Sequence, residues 1–286
     1  MINIAILFAL LSLILGGLNE IVFKRYNVKS RSRGMLISGV GVVWTVLLLL
    51  DLSIRGEALL FNSSTWGYGI SAGISVAIAN ILLLESLRHM EVSLGSTIYR
   101  LNTIAVVLLS ILLLGESITL IKLVGISFGV IAVLFLYRQQ HSDGLHATLK
   151  TGLIIVVVGA LLRAVYGVLT KAGLLSGANA DSLMLISAVC WIVSGLIYAI
   201  GIEKQYSITR EKLAYSIVSG LLVYGIVRTL VMALTFGEAS IVITIANMSF
   251  LMALLVAVML KMETLNWRKI VAMFFAVSAI ALLSLA

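Results

Sequence analysis

The chain consists of apolar runs of about 20 residues separated by short polar stretches. Inside a lipid bilayer the backbone satisfies its hydrogen bonds only as helices or as closed barrels, and barrel strands alternate between apolar and polar residues. These runs are uniformly apolar and show no such alternation. The pattern therefore predicts an all-α membrane protein.

Ten of these runs are long and apolar enough to be predicted as spans. Their predicted bounds are 2–23, 35–51, 66–87, 92–114, 118–137, 150–171, 182–201, 212–235, 240–261 and 267–286. The composition agrees, because 61% of the 286 residues are hydrophobic and only 11% are charged, against about 25% charged residues in an ordinary soluble domain. The first run lacks a basic start, so we expect no cleavable signal peptide.

The second half of the chain repeats the first at a fixed offset. Residues 91–136 align without a gap with residues 238–283, 147 positions later. The signal lies in the polar matches, since apolar segments resemble one another by chance. The matched polar pairs are Glu91 and Glu238, Ser93 and Ser240, Thr97 and Thr244, Glu116 and Glu263, and Lys122 and Lys269. The repeat predicts two units, residues 1–139 and 148–286.

Each predicted unit contains five spans, which is an odd number. The second unit must then enter the membrane in the opposite orientation to the first. Such inverted-topology repeats occur in many secondary transporters, whose substrate site lies near mid-membrane between the repeats. The sequence therefore predicts ten transmembrane helices, arranged as two five-helix inverted-topology repeats in one integral membrane unit.

The formal net charge of +8 comes mostly from short loops between the predicted spans. Charge in such loops indicates membrane orientation, and it makes a nucleic-acid partner unnecessary. The loops after odd-numbered spans hold most of the Lys and Arg residues, so the positive-inside rule places these loops in the cytoplasm. Both termini would then face outward.

Two motifs resemble those of the drug/metabolite transporter superfamily, in particular its EamA-domain ten-helix transporters. Residues 17–24 (GLNEIVFK) are similar to a G-x-N-x-x-x-x-K motif at the end of that family's first helix. Residues 112–119 (LLLGESIT) resemble its LLLGE-x-x-T turn between helices four and five, and residues 262–265 (METL) resemble a degraded second copy. The family often has proline at the position of Ser117, whereas this chain contains none.

The resemblance implies a transporter of small metabolites or lipid-linked groups, and we expect it in a prokaryotic cytoplasmic (inner) membrane. It also implies that both termini are cytoplasmic, which is the opposite of the orientation that the loop charges predict. The sequence leaves the orientation open between these two arguments.

Three arginines lie deep inside predicted spans, namely Arg100, Arg163 and Arg228. A charge at the membrane centre costs about 2.5–3.5 kcal/mol on insertion scales, so such residues pair with a partner or mark a pathway. The candidate partners are Glu20 and Glu85, which could instead carry a coupling proton. Three cations against two acids leave a positive surplus, which predicts an anionic or zwitterionic substrate bound by guanidinium groups. The alternative is that the arginines only pair with these acids and hold helices together.

Uncharged side chains near the arginines are further candidates for substrate contacts. They are Asn19, Tyr99, Asn102, Tyr166, Tyr224 and Asn247, with Trp44 and Trp191 as candidate walls of a cavity. Tyr166 and Tyr224 lie one turn from Arg163 and Arg228, so each shares a helix face with its arginine. For the polar residues the alternative is an interhelical hydrogen bond, and for the tryptophans plain packing is favoured.

No cofactor, metal site or catalytic residue is predicted. The single cysteine, Cys190, lies in an apolar run, and His89, His141 and His146 fall in predicted loops without further ligands nearby. An intramembrane enzyme would need a His, Cys or Asp cluster inside the bilayer, and the sequence contains none that convinces.

These features predict a secondary transporter that moves a small anionic or zwitterionic organic metabolite by alternating access. An amino acid, a carboxylate or a phosphorylated compound would fit. A flippase for a phosphate-bearing lipid carrier or lipid-linked sugar is one alternative, and a non-transporting membrane scaffold subunit is another. The expected partners are the substrate or a lipid phosphate and the bilayer, with no nucleic acid, and the protein is expected to be a monomer or homodimer.

Overall fold

A computed structural model describes residues 2–27, 29, 31–86, 98–137, 146–260 and 266–285. Within these residues every regular element is a helix. In chain order they are α1 (Ile2–Asn27), α2 (Arg33–Arg55), α3 (Ser63–Ser86), α4 (Asn102–Leu114), α5 (Leu120–Tyr137), α6 (His146–Leu175), α7 (Ala180–Ile197), α8 (Arg210–Phe236), α9 (Ala239–Ala246), α10 (Phe250–Met259) and α11 (Trp267–Leu283). A π-helical turn, Tyr198–Glu203, extends α7, and a 3-10 turn, Asn247–Ser249, joins α9 to α10.

Seven helical stretches of the described chain are long and apolar enough to cross a membrane. They are Ile4–Asn27, Arg33–Arg55, Ser63–Ser86, Thr151–Leu175, Ala180–Glu203, Arg210–Phe236 and Ala239–Val256. Ile98–Leu114 and Leu120–Phe135 are shorter apolar helices. The predicted all-α membrane fold is therefore confirmed, and the protein is a multi-pass integral membrane protein. The number of ten spans stays a prediction.

Several helices extend past the predicted span bounds because polar capping side chains set where they begin. The structure starts α2 at Arg33 rather than at residue 35, after the N-cap Ser32, whose hydroxyl accepts the Met35 N–H at 3.1 Å. At its other end α2 continues to Arg55, which places Asp51 inside the helix. A hydrophobicity pattern finds the apolar middle of a span, whereas the cap fixes its end.

The 147-residue offset recurs in the helix starts. Helices α2, α3 and α5 begin at residues 33, 63 and 120, and α7, α8 and α11 begin at residues 180, 210 and 267. Each of these six starts has a side chain that accepts the backbone N–H three residues ahead. The capping residues, in pairs 147 apart, are Ser32 and Asn179, Asn62 and Thr209, and Thr119 and Asn266. Each cap is worth about 0.5–2 kcal/mol of helix stability.

The helices pack in arrangements that the same offset relates. Helix α1 packs against α8 and α3 against α6, while α2 packs against α7 and α5 against α11. In the last two pairs, residues 147 apart touch each other. The Trp44 and Trp191 rings meet edge to face with their centroids 6.0 Å apart, and Phe128 and Phe275 do so at 5.2 Å. Contact between a residue and its own equivalent occurs where a two-fold axis passes.

Polar contacts between helix ends define two ends of the bundle. At the first, which we call the Glu203 face, the Glu203 carboxylate accepts the Ser32 hydroxyl at 2.6 Å. At the second, the Asp181 face, Arg55 Nη2 lies 3.1 Å from Asp181 Oδ2. Helix α2 starts at the Glu203 face and ends at the Asp181 face, so the residues between them lie in the membrane-spanning layer.

Candidate functional site

Two helices are interrupted in the middle of the bundle. Residues 98–100 are helical, Leu101 is a turn residue with ψ −2°, and α4 begins at Asn102. Helices α9 and α10 are separated by the 3-10 turn Asn247–Ser249, in which Met248 has φ −81° and ψ 16°. Leu101 and Met248 are 147 residues apart. Irregular backbone at membrane depth is tolerated only where protein buries it or where it lines a water-filled cavity.

Asn247 links the two interruptions. Its Nδ2 donates to Asn102 Oδ1 and, at 2.9 Å, to Thr103 Oγ1. The Nδ2 of Asn102 is buried and, in the part of the chain that the structure describes, donates to no acceptor. The two predicted asparagines therefore bind each other, and one amide donor is left over.

Arg100 lies beside the first interruption with 8% of its surface exposed. Its guanidinium forms an ion pair with Glu20 on α1 and lies 5.0 Å from the Phe250 ring centroid. Ser249 donates to the other Glu20 oxygen at 2.6 Å. The Arg100 Nη1 has no hydrogen-bond partner among the described residues. One predicted acid thus compensates one predicted arginine.

The second candidate acid, Glu85, does not serve these arginines. It accepts a hydrogen bond from Tyr198, and its Oε2 lies 3.8 Å from Arg33 Nη1 at the Glu203 face. Glu85 is the penultimate residue of α3, so the helix delivers its carboxylate to the end of the bundle rather than to the middle. The hypothesis that Glu85 pairs with Arg100, Arg163 or Arg228 is therefore corrected.

Arg228 is compensated by acids that the sequence interpretation missed. Its guanidinium hydrogen-bonds Asp181, and its Nη2 lies 3.9 Å from Asp51 Oδ2. Arg55 bridges the same two acids at 3.0 and 3.1 Å, and the Tyr224 hydroxyl lies beside Asp51. Both acids fall at the edges of predicted spans, where a charged residue is not unusual, so they were not selected as candidates. The four-residue spacing of Asp51 and Arg55 could have indicated an ion pair on one helix face.

Arg163 differs from the other two arginines. Within the described ranges no carboxylate lies within ion-pair distance of it. It shares a helical stripe of α6 with the buried residues Ala160 and Gly167, so its half-buried side chain faces the bundle interior and not lipid. Its guanidinium lies 5.3 Å from the Tyr166 ring centroid. One turn earlier on α6, Gly159 and Ala160 lie against the ring of Tyr99, whose buried hydroxyl has no partner among the described residues.

The remaining predicted residues lie around this layer. Asn19 accepts a hydrogen bond from Ser219 on α8 at 2.6 Å. Trp44 and Trp191 are packed against each other in the hydrophobic core. A cavity of about 10 Å³ lies where α3, α6, α7 and α8 meet, and Tyr166 and Val231 are among its lining residues. Such a cavity holds about one water molecule, so a metabolite would need these helices to move apart.

Some sequence predictions fall outside the described residues. These are His89, His141, Glu91, Ser93, Thr97 and Glu263. Among the residues that are described, no group of three or more His, Cys, Asp and Glu side chains is arranged to hold a metal ion.

The long apolar helices and the buried charged layer define a polytopic membrane protein with a polar interior site. Residues 3–138 match the model of the family described as the EamA-like transporter family. This match covers the first half of the chain, and it confirms the resemblance to the drug/metabolite transporter superfamily that the sequence motifs predicted. The match implies a membrane transporter of that type.

Solved structures add evidence on the fold alone. A structure titled "Crystal structure of protein" is similar over 97% of this chain and 95% of that chain, with a TM-score of 0.83 and 13% sequence identity. A search of curated proteins gives no significant match.

Proposed function

We propose that the protein is a secondary transporter that moves a small anionic or zwitterionic organic metabolite across the membrane by alternating access. The observation that carries this proposal is Arg163, a cation on an inward-facing helical stripe with no acid partner among the described residues. A half-buried cation without a counter-charge inside the bundle is unfavourable, so an arriving anion would be stabilised at this position.

The proposed architecture consists of two inverted five-helix repeats, residues 1–139 and 148–286. It is supported by the six capped helix starts and by the two interruptions, all related by the same offset. It is also supported by the self-contacts of Trp44 with Trp191 and of Phe128 with Phe275, which lie where a two-fold axis between the repeats would run. In such transporters one repeat rocks against the other around a mid-membrane site.

The proposed substrate site lies between the two interrupted helices. Interrupted helices are a common device for building substrate sites in inverted-repeat transporters. Arg163 would bind the anionic group through its planar fork, with Tyr99 and Tyr166 beside it. Arg100, held by Glu20, and the Asn102–Asn247 pair would shape the adjoining wall.

Arg228 and Tyr224 receive a different role in this proposal. With Asp51, Arg55 and Asp181 they form a charge cluster that joins α2, α7 and α8 near the Asp181 face. Such a cluster would close that end of the pathway and separate when it opens. Trp44 and Trp191 would act as packing at the pivot and not as a cavity wall.

We place the Glu203 face in the cytoplasm of a prokaryotic cell. The loops at this face carry most of the basic residues, among them Lys24, Arg25, Lys29, Lys204 and Arg210. The start of α1 lies at the other end, because Ala5 packs against Gly237, which follows α8. Both termini would then face outward.

The test is transport by purified protein in proteoliposomes, using a panel of labelled amino acids, carboxylates and phosphorylated metabolites. For any substrate that the wild type carries, we expect Arg163→Ala to abolish uptake while the thermal unfolding temperature stays close to the wild-type value. Arg210→Ala removes an exposed arginine and is the matched control. Undiminished uptake by Arg163→Ala would refute the site.

A further inference from the structure

We infer that the substrate group received at Arg163 is a single carboxylate with one negative charge, held jointly by Arg163 and Tyr99, on a molecule that is otherwise uncharged. This inference rests on the proposed function and narrows its substrate class. It favours a small monocarboxylate over a phosphate ester and over a zwitterion.

The cations in the membrane-spanning layer can be matched with acids one by one. Arg100 is compensated by Glu20, and Arg228 by Asp181. Closer to the Asp181 face, Lys122 is paired with Glu238. Lys171, which donates to the Leu234 carbonyl at 2.7 Å, is balanced there by the charge of Glu116. Within the described residues, one positive charge therefore remains in the central layer, that of Arg163. One negative charge neutralises it, whereas a dianion would leave a net negative charge in a medium of low dielectric constant.

The hydrogen-bond donors of Arg163 and Tyr99 match a carboxylate. The guanidinium offers two parallel N–H groups to a planar carboxylate. The Tyr166 ring centroid lies 5.3 Å from the guanidinium carbon. Tyr99 adds a third donor, because its hydroxyl is buried and donates to nothing among the described residues, while only 9% of the residue is exposed. A carboxylate is an acceptor-only group that can accept all three hydrogen bonds.

The Tyr99 ring has apolar neighbours. The ring packs in a small apolar cluster with Ala79, Val156 and Ala160. Among the described residues, Arg163 is the one charged group whose electrostatic effect reaches the Tyr99 hydroxyl. A second negative charge on the ligand would therefore meet no counter-charge from this cluster, and a ligand ammonium would meet no carboxylate there. Both groups would lose their hydration without compensation.

Arg100 does not belong to this subsite, because its contacts differ from those of Tyr99. Arg100 contacts Glu20 on α1 and Phe250 on α10, whereas Tyr99 contacts residues of α3 and α6. The two consecutive side chains thus leave the helical turn on different sides. Arg100 is a positioning residue for the interrupted helix, and Arg163 with Tyr99 forms the binding pair.

The experiment is a thermal-shift titration of the purified full-length protein with four probes of similar size. Lactate carries one carboxylate, alanine is a zwitterion, and malonate and glycerol 3-phosphate are mainly dianions at neutral pH. We expect saturating lactate to raise the unfolding temperature by about 2–4 °C over equal ionic strength of chloride, with no such rise for the other three. An equal or larger rise with alanine, malonate or glycerol 3-phosphate, or no rise with lactate, overturns the inference.

Three variants assign the effect to its residues. Arg163→Gln should lose the lactate shift, Tyr99→Phe should reduce it at least by half, and the exposed control Arg210→Gln should keep it. Tyr99→Phe should not lower the unfolding temperature of the ligand-free protein, because the hydroxyl that it removes has no partner. A fall in that temperature with an unchanged lactate shift would assign Tyr99 a structural role and overturn its place in the subsite.

Flux measurements separate this inference from the proposed function. If this protein transports glycerol 3-phosphate or alanine through Arg163, the proposed transport mechanism stands, but the assignment of a monocarboxylate substrate is overturned. If the protein binds lactate through Arg163 and Tyr99 but does not move lactate in proteoliposomes, the subsite is supported and the proposed transport through it is overturned.

Discussion

At the residue scale, the interaction between Arg100 and Glu20 is the most informative single contact. Arg100 is buried, while 35% of the Glu20 side chain is exposed. Removing the carboxylate leaves a buried guanidinium without a counter-charge, which costs more than the net value of the pair. Removing both groups leaves no charge behind, so the double variant should be less destabilised than the two single variants together.

The prediction is a coupling free energy of about 0.5–3 kcal/mol in a double-mutant cycle of Arg100→Gln and Glu20→Gln. It is measured by reversible unfolding of the detergent-solubilised protein. The exposed pair Lys29 and Glu211, 3.7 Å apart, is the control and should couple by about 0–1 kcal/mol. Additive effects of the two buried substitutions would contradict the pairing.

The polar residues that contact each other inside the bundle could be predicted from sequence only where both partners lie inside apolar runs. Glu20 and Arg100 stand out there, and so do Asn102 and Asn247, because polar groups are rare in such runs. Asp51 was hidden because it sits at the edge of its run, where an acid is ordinary. Which acid reaches which arginine depends on packing between distant helices, and one chain's hydrophobicity pattern does not contain that information.

At the scale of elements, α9 is capped by a residue from elsewhere in the chain. Glu238 stands at its N-cap but pairs with Lys122 on α5 instead of capping its own helix. Glu116, in the turn before α5, takes over this role and accepts the N–H groups of Ala239 at 2.6 Å and Ser240 at 3.1 Å, with the Ser240 hydroxyl as well. This cluster fastens the α4–α5 turn to the start of α9.

This cluster gives a structural role to four of the polar residues by which the repeat was detected. Glu116, Lys122, Glu238 and Ser240 are all members of the polar pairs matched at the 147-residue offset. In the sequence these positions are evidence of the repeat, and no contact was predicted for them. The sequence could not predict that they meet one another, since residues 116 and 238 are far apart along the chain.

We predict that Glu116→Ala destabilises the protein by about 1–3 kcal/mol, because it leaves the start of α9 without its acceptor. The measurement is the unfolding free energy in detergent micelles. Glu57→Ala is the control, since that side chain is 53% exposed, and it should change stability by less than about 0.5 kcal/mol. Equal effects of the two substitutions would show that Glu116 is not a cap.

At the scale of the whole molecule, the proposed mechanism requires the two ends of the bundle to open in turn. The sequence offset predicted two related units, and the capped helix starts follow the same offset. The contact of Trp44 with Trp191 was not predictable, because a repeat relates residues without saying which of them lie on the axis. The cavity beside Tyr166 is too small for a metabolite, so a substrate bound there would require the surrounding helices to move apart.

The decisive measurement is a pair of spin-label distances in lipid nanodiscs, with Cys190→Ser as background. One pair, Ser117→Cys with Ser176→Cys, reports on the Asp181 face, and the other, Arg25→Cys with Tyr206→Cys, reports on the Glu203 face. All four positions are exposed. On adding a transported substrate, we expect one distance to lengthen while the other shortens. Distances that stay fixed, or that change in the same direction, would contradict alternating access between two inverted halves.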